Sequence, residues 1–314
     1  MRKSDVDLVA LRDRVGHIFP EPGCCTVERT EEGVSTQVYR IRRGDEVFYL
    51  RVAEERTASL APEMRVHELL RERGVQVPAV VYFEPCDERL QRSIMVTTEI
   101  RGEHVGHRRV DGDTKEVLRA AGRDLAVVNS IPVEGFGWIK RDKSEATRLE
   151  AEHASHRDFA LEHLDAYLHL LDERVLTRAE IVAMRAIISR FNAWLDVEHG
   201  HLAHGDFDVT HIFQAGGRYT GIIDFGEIRG ADARYDLGHF NLHDGETLPH
   251  LVLPLLLAGY AEVIPLPPDH QQRISLASLL IGVRALARTL RRPPNDYQRH
   301  LTQSLRRAVA ALRA

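Results

Sequence analysis

The spacing of apolar and polar positions changes character twice along this chain of 314 residues. Residues 5–18 place Val6, Leu8, Val9, Leu11, Val15 and Ile18 at approximately helical intervals, which predicts an amphipathic helix. After Pro20 and Pro22 the period shortens. The run CTVERTEEGVSTQVYRIRRGDEVFYLRVA alternates β-branched with polar residues and is punctuated at Glu32-Gly33 and Gly44-Asp45, the pattern of strands joined by turns. EMRVHELLRERG then returns to helical spacing, with Pro62 as a first-turn residue and Gly74 closing the helix. VPAVVYFEP and SIMVTTEI supply two further strands, so a sheet of about five strands with one helix across it is expected.

From Asp113 the texture is helical. Val117, Leu118, Ala121, Leu125 and Val128 mark one helix, HRDFALEHLDAYLHLL a second, and Thr177-x-x-Glu180 is a capping box opening TRAEIVAMRAIISRFNAWL. Three more segments read the same way near the end: LPHLVLPLLLAGYAEV, then DHQQRISLASLLIGVRALARTL behind Pro267-Pro268, then NDYQRHLTQSLRRAVAAL. One stretch interrupts the helices, LAHGDFDVTHIFQAGGRYTGIIDFGEIRGADARYDLGHF, residues 202–240. Inside it Ile212-Phe213 and Tyr219–Ile223 flank Gly216-Gly217, a β-hairpin signal. Each arm has an acid beside it, in His204-Gly205-Asp206 and Asp224-Phe225-Gly226. A hairpin can bring two such carboxylates to one pocket, and phosphoryl transfer from a nucleotide needs that pair: one to orient the attacking hydroxyl, one to hold magnesium.

Composition narrows the field without choosing the chemistry. Hydrophobic residues at 43% and charged residues at 28% are ordinary for a soluble globular protein. A formal net charge of −5 provides no overall basic field for nucleic acid, and no nucleic-acid or membrane partner is expected. Cys24, Cys25 and Cys86 make an odd count without metal-ligand spacing, as in a reducing compartment. The opening MRKSDVDLVALRDR lacks the apolar core of a signal peptide, and no run approaches the roughly 18 apolar residues of a membrane span. A cytoplasmic monomer or dimer is expected. Neither a zinc pattern nor a hydrolase elbow competes with the paired acids.

The two acidic motifs, in this order and followed by Tyr235-Asp236-Leu237, resemble the aminoglycoside phosphotransferase family, a small-molecule branch of the protein-kinase fold. The resemblance covers most of the chain. It implies an α+β, two-lobed fold, with an antiparallel-sheet amino-terminal lobe over residues 1–101 and a mostly helical lobe over residues 102–314. Thr98-Glu99-Ile100-Arg101-Gly102 resembles the hinge, where Glu99, Ile100 and Arg101 would meet the adenine or guanine through main-chain groups.

Asp206 falls on the family's catalytic aspartate and Asp224 on its metal aspartate. The metal-asparagine position is His211, a departure that some aminoglycoside 2''-phosphotransferases and macrolide phosphotransferases share. Arg51 stands where kinases place the phosphate-pairing lysine, and Glu63 is the expected partner carboxylate, with Glu68 as the rival. The tip EEGVSTQVYRI holds a single glycine, and Gly33, Ser35 and Thr36 would wrap a phosphate there. Asn129-Ser130-Ile131 occupies the place of a frequent histidine-serine pair. His204 and Asp236 are expected to brace the catalytic loop. The implied cofactors are Mg2+ and ATP or GTP as donor.

The implied partner is a small hydroxylated acceptor of cationic character, an aminoglycoside first, with a macrolide or another sugar or amino-alcohol metabolite as alternatives. Asp208, Glu227, Asp232, Asp244 and Glu246, with Asp158 or Glu162, are the acids available to receive it. A nucleotide-binding pseudokinase is the reading from outside the enzymes.

Overall fold

The computed structural model describes residues 6–20, 25–30, 37–107, 112–172 and 174–313. Gly33, Ser35, Thr36 and Cys24 lie outside the described residues. By contacts the chain divides into two units, and sequence order does not separate them cleanly. Unit 1 comprises residues 1–101, 140–149 and 221–226; unit 2 comprises residues 102–139, 150–220 and 227–314.

Unit 1 contains α1 (Leu8–Ile18), β1 (Cys25–Arg29), β2 (Gln37–Arg43), β3 (Glu46–Val52), α2 (Ala61–Glu72), β4 (Val80–Asp87) and β5 (Arg92–Thr98). The five strands form one antiparallel sheet in the order β1-β2-β3-β5-β4. Asp7 caps α1, its carboxylate accepting the Val9 and Ala10 amides. The two-residue turn Gly44-Asp45 sets the β2–β3 register, and Gly44 takes the positive φ of +55° that such a turn requires.

Side-chain alternation then assigns the faces of β3. Phe48, Leu50 and Val52 join Leu11, Val15 and Phe19 of the α1 side in one core. Arg51, between them in sequence, therefore points to the other face. There Ala53, Leu60 and Met95 make a second, smaller core.

The two later segments of unit 1 are tied in by specific bonds. The Arg141 carbonyl accepts the Ser59 amide at 2.7 Å, and the Gln76 carbonyl accepts the Ile222 amide at 2.8 Å. A Cβ on Gly221 would lie 2.5 Å from that same Gln76 oxygen, so only glycine permits the approach.

Unit 2 contains β6 (Glu103–His104), α3 (Gly112–Val128), β7 (Pro132–Val133), β8 (Phe136–Ile139), β9 (Ala151–His153), α4 (His156–Leu161), α5 (Leu164–Leu171), α6 (Arg178–Arg190), β10 (Gly200–Ala203), β11 (Ile212–Ala215), β12 (Arg218–Ile222, its last two residues assigned to unit 1), β13 (Arg229–Ala231), α7 (Tyr235–His243), α8 (Leu253–Tyr260), α9 (His270–Thr289) and α10 (Asp296–Arg313). A short-stranded sheet runs β7-β10-β13-β8-β9, and β11 lies between β12 and β6. The apolar faces of α5, α6, α9 and α10 enclose the main core, with Leu168, Met184, Leu279 and Leu305 fully buried. An antiparallel sheet early in the chain and helices later make the protein α+β.

Three helix expectations need adjusting. HRDFALEHLDAYLHLL is two helices, because His163 adopts the left-handed conformation at φ +57°. The Arg284 guanidinium donates at 3.0 Å to the Phe159 carbonyl, one of the last-turn carbonyls of α4. TRAEIVAMRAIISRFNAWL opens with both halves of its capping box in place but leaves α-helical geometry after Arg190, tightening to a 3-10 turn over Asn192–Leu195. LPHLVLPLLLAGYAEV is helical only over Leu253–Tyr260. Pro254 fits the first turn of α8, and the buried Asp244 carboxylate accepts the Val252 and Leu253 amides.

Candidate active site

Two clusters of charged side chains contain most of the expected site residues, one in each unit. In unit 1, Arg51 Nη1 lies 3.4 Å from Glu63 Oε2 and 3.2 Å from Asp224 Oδ1. Glu63, on the first turn of α2, is 1% exposed, and Arg51 is 10% exposed at its side chain, so this is a buried pair. Glu63 also takes a short charged contact from Arg141, whose second nitrogen donates to the Gly226 carbonyl at 2.7 Å. Glu68, the rival carboxylate, pairs instead with the exposed Arg65 at 3.3 Å.

Asp224 is the end point of this relay and is 48% exposed at its side chain. Its backbone sits at φ +65°, a conformation that costs a non-glycine residue about 1–2 kcal/mol. The Arg51 contact and the Gly226 amide, 3.3 Å from Oδ1, hold it there. Phe225 is fully buried with its ring edge-on to His67 at 5.4 Å, and His67 Nδ1 meets the Pro78 carbonyl at 2.9 Å. A Cβ on Gly226 would come within 2.6 Å of Arg51 Nη2. Glu99 of the hinge-like stretch accepts from Arg40 at 3.3 Å and from the Tyr49 hydroxyl at 3.4 Å.

In unit 2 the loop after β10 carries Asp206. Asp236, completely buried at the start of α7, accepts the His204 amide at 2.8 Å and the Gly205 amide at 2.9 Å. Asn129 Nδ2 bridges Asp236 Oδ2 at 2.8 Å and the Leu202 carbonyl at 3.0 Å. On the other side Arg229 donates to the Gly205 carbonyl and to Glu227 at 2.9 Å, while its guanidinium stacks over Trp138 at 4.1 Å. Gly205 has φ +90°, and a Cβ there would fall 1.8 Å from the Glu227 carbonyl oxygen. The loop is thus fixed at its backbone before any functional side chain is considered.

The Asp206 side chain is 47% exposed, and His239 Nε2 lies 3.3 Å from its Oδ1. Burial by itself raises the carboxyl, but the His239 hydrogen bond and charge, with His211 and His204 nearby, outweigh it and hold Asp206 well below the usual carboxylate range. Asp208 turns inward to the Thr210 amide at 2.7 Å and hydroxyl at 2.5 Å, and stands 3.6 Å from His211 Nδ1.

Tyr297 of α10 was not among the expected site residues. Its phenol is pushed up to about 12, first by burial and then by the charges of Glu246, Asp206 and Asp208, which therefore converge on one region. Glu246 pairs with His243 at 2.7 Å. The other expected acceptor acids are engaged within the fold: Glu227 with Arg229, Asp232 with Arg234, Asp244 at the start of α8, and Asp158 with the Ser155 hydroxyl. Glu162 lies 3.8 Å from Arg284.

Asn129, Arg141, Arg229 and His239 hold or face the site, yet sequence reasoning assigned none of them a role. Only Asn129, by its place in the family pattern, left a trace that could have been followed.

Among the described residues no group of three or more His, Cys, Asp or Glu side chains is disposed to hold a metal ion. Magnesium does not need one, since it commonly uses one or two carboxylates and completes its shell with phosphate oxygens and water. The half-exposed carboxylate of Asp224 is a donor of that kind. No helix among the described residues is long and apolar enough to cross a membrane.

Residues 26–273 match the family described as Phosphotransferase enzyme family. No curated protein matches. Among solved structures, a thermostable aminoglycoside phosphotransferase APH(4)-Ia, in ternary complex with ADP and hygromycin B, aligns with TM-score 0.70 and 14% identity over 96% of this chain and 98% of that one. A putative fructosamine-3-kinase from Thermobifida fusca gives 0.60 and 19% over 95% and 98%. The macrolide 2'-phosphotransferase MphH from Brachybacterium faecium gives 0.60 and 18% over 95% and 97%. At these identities the likeness is one of fold. The match over most of its length settles membership: this chain belongs to the phosphotransferase enzyme family and has its protein-kinase-like fold.

Proposed function

We propose that the protein transfers the γ-phosphoryl group of ATP or GTP to a hydroxyl of a small, cationic molecule, with an aminoglycoside as the first candidate. The observation that carries this reading is the Asp206 carboxylate, half exposed on a loop whose backbone is locked by Asp236 and Arg229. Asp206 orients the acceptor hydroxyl and takes its proton as the bond to phosphorus forms. Arg51, oriented by Glu63, grips the phosphates, and the planar guanidinium suits their oxygens. Asp224 would hold magnesium, with His211 proposed as a second ligand, and the ion would supply positive charge to the transferring phosphates. Main-chain groups of Glu99, Ile100 and Arg101 receive the base, and Gly33, Ser35 and Thr36 cover the phosphates.

The cationic acceptor is supported by the negative potential that Glu246, Asp206 and Asp208 exert on Tyr297. The field that disfavours a phenolate favours an ammonium group. A less polar acceptor, such as a macrolide, is the second reading. One observation favours it: a small hollow of unit 2, walled in part by the side chains of Phe159, Trp194, Leu280 and Tyr235.

The test is a phosphorylation screen over aminoglycosides, macrolides and sugars, with ATP and GTP in the presence of magnesium. Transfer to an aminated sugar supports the first reading, and transfer to a macrolide alone the second. Nucleotide binding without transfer to any acceptor would leave the pseudokinase.

A further inference from the structure

His239 is 7% exposed and has an acceptor at each ring nitrogen. Nδ1 faces the Phe207 carbonyl at 3.2 Å, and Nε2 faces Asp206 Oδ1 at 3.3 Å. A carbonyl only accepts, so Nδ1 carries a hydrogen. A neutral ring would then turn its Nε2 lone pair onto a carboxylate oxygen, which repels it. The contact therefore requires a proton on the Nε2–Oδ1 line. Of the two groups the carboxyl is the stronger acid, so the proton belongs on the ring.

We propose that His239, as a doubly protonated imidazolium clamped between the Phe207 carbonyl and Asp206, is the positioning residue for the Asp206 carboxylate. This rests on the reading of Asp206 as the group that meets the acceptor hydroxyl. The clamp fixes Oδ1 and leaves Oδ2 as the oxygen that receives the hydroxyl. It also weakens Asp206 as a base. A loose phosphoryl-transfer transition state tolerates that, because it asks for orientation of the nucleophile more than for early removal of its proton.

The surroundings of His239 suit a cation that can be lost. From the catalytic loop it meets Asp206, with His204 and His211 acting on the same carboxylate. From its own helix, His243 stacks on it with centroids 4.5 Å apart and planes at 30°, and His243 Nδ1 in turn contacts Glu246 at 2.7 Å. From α10, Tyr297 and His300 stack on His243. Helix α9 contributes the uncharged Ser278 hydroxyl, bonded to the Gly238 carbonyl. Deprotonation of His239 would turn the Asp206 contact from attractive to repulsive and release the carboxylate.

Two measurements on the full chain test this. Nitrogen and carbon ring signals of His239 should report two ring protons at pH 7. In Asp206→Asn, where the opposing charge is gone, the Nε2 signal should move toward that of a neutral ring. A neutral ring at pH 7, or ring signals that ignore Asp206→Asn, overturns the proposal. The second measurement is hydrolysis of magnesium ATP with water as acceptor. His239→Phe should lower kcat about 10- to 100-fold, the worth of a hydrogen bond to a charged group, with nucleotide KM nearly constant. His239→Gln offers a neutral donor to Asp206; it should restore part of kcat. Wild-type kcat in a folded His239→Phe variant would refute the role. Absence of hydrolysis in the unaltered enzyme would count against the phosphotransferase reading alone, and the ring signals would still decide the clamp.

Discussion

Asp206 and Asp224 look alike from outside, with side chains 47% and 48% exposed, yet each faces a different kind of basic side chain. Arg51 opposes Asp224, and its charge is permanent over any pH a folded protein meets. It is itself anchored by the buried Glu63, which Arg141 also contacts, so the unit 1 cluster is a fixed scaffold. His239 opposes Asp206, and histidine is the side chain whose charge changes near neutrality. The unit 2 cluster fixes its backbone through Asp236, Asn129 and Arg229 but leaves the Asp206 carboxylate facing a histidine. A carboxylate that holds a metal gains from constancy. One that must receive a hydroxyl and its proton gains from an adjustable neighbour.

The sharpest way to break this comparison is to remove each acid in turn. Asp206→Asn keeps the shape and is expected to lower single-turnover phosphorylation by about 10²–10⁴ or more while nucleotide affinity stays within a few-fold. A loss under threefold would take Asp206 out of the chemistry. Asp224→Ala should do the reverse: calorimetric titration with magnesium ATP or GTP should show binding largely abolished, since no carboxylate would remain there to share the ion. Unchanged affinity would place the metal elsewhere.

The scaffold itself is tested by Glu63→Ala. Removing the buried carboxylate leaves Arg51 only Asp224 and Arg141 only the Gly226 carbonyl among their named partners, so denaturant unfolding should show a loss of about 3–5 kcal/mol. Removing Glu68, whose pair with Arg65 is exposed, should cost under about 1 kcal/mol. Equal losses would mean that burial of the Arg51–Glu63 pair is not what secures it.

The expected acid response is the smallest effect. Asp206 is held below its unfolded value, so its contribution to stability is fully present above about pH 4 and is lost only as pH falls through the depressed folded value. Glu180 behaves the same way. The hydrogen bond from Arg306 comes first among the causes, and the carboxyl is lowered to about 2, so its contribution is kept down to about pH 4 and lost toward 2. Between pH 7 and 5 neither group should change the unfolding midpoint, and Glu180→Gln should lose its difference from the unaltered protein only near pH 2. A Glu180-dependent loss at pH 5 would contradict the depressed value.

Much of this protein is readable from its residues in order. The alternation of β3, the capping box at Thr177 and the glycine pair of the β11–β12 hairpin are local devices, and local devices act on a few consecutive residues. The kinase-like fold and the family followed from two acidic motifs and a Tyr-Asp-Leu, because their chemistry demands fixed spacing along one stretch. The helix breaks at His163 and after Arg190 were not legible, since Arg284 of a distant helix meets the last turn before the first and apolar spacing continues through both. Asp236 was expected to brace the loop and Glu63 to face Arg51, but the further holders behind them were not legible. Asn129 reaches Asp236 across 107 positions and Arg141 reaches Glu63 across 78. Spacing within a motif says which acid is offered; only the packed chain decides which cation faces it, because electrostatic partners are chosen by distance in space and by exclusion of water. That is why the sequence by itself named Asp206 and Asp224, and only the tertiary structure decided that one answers to a histidine and the other to an arginine.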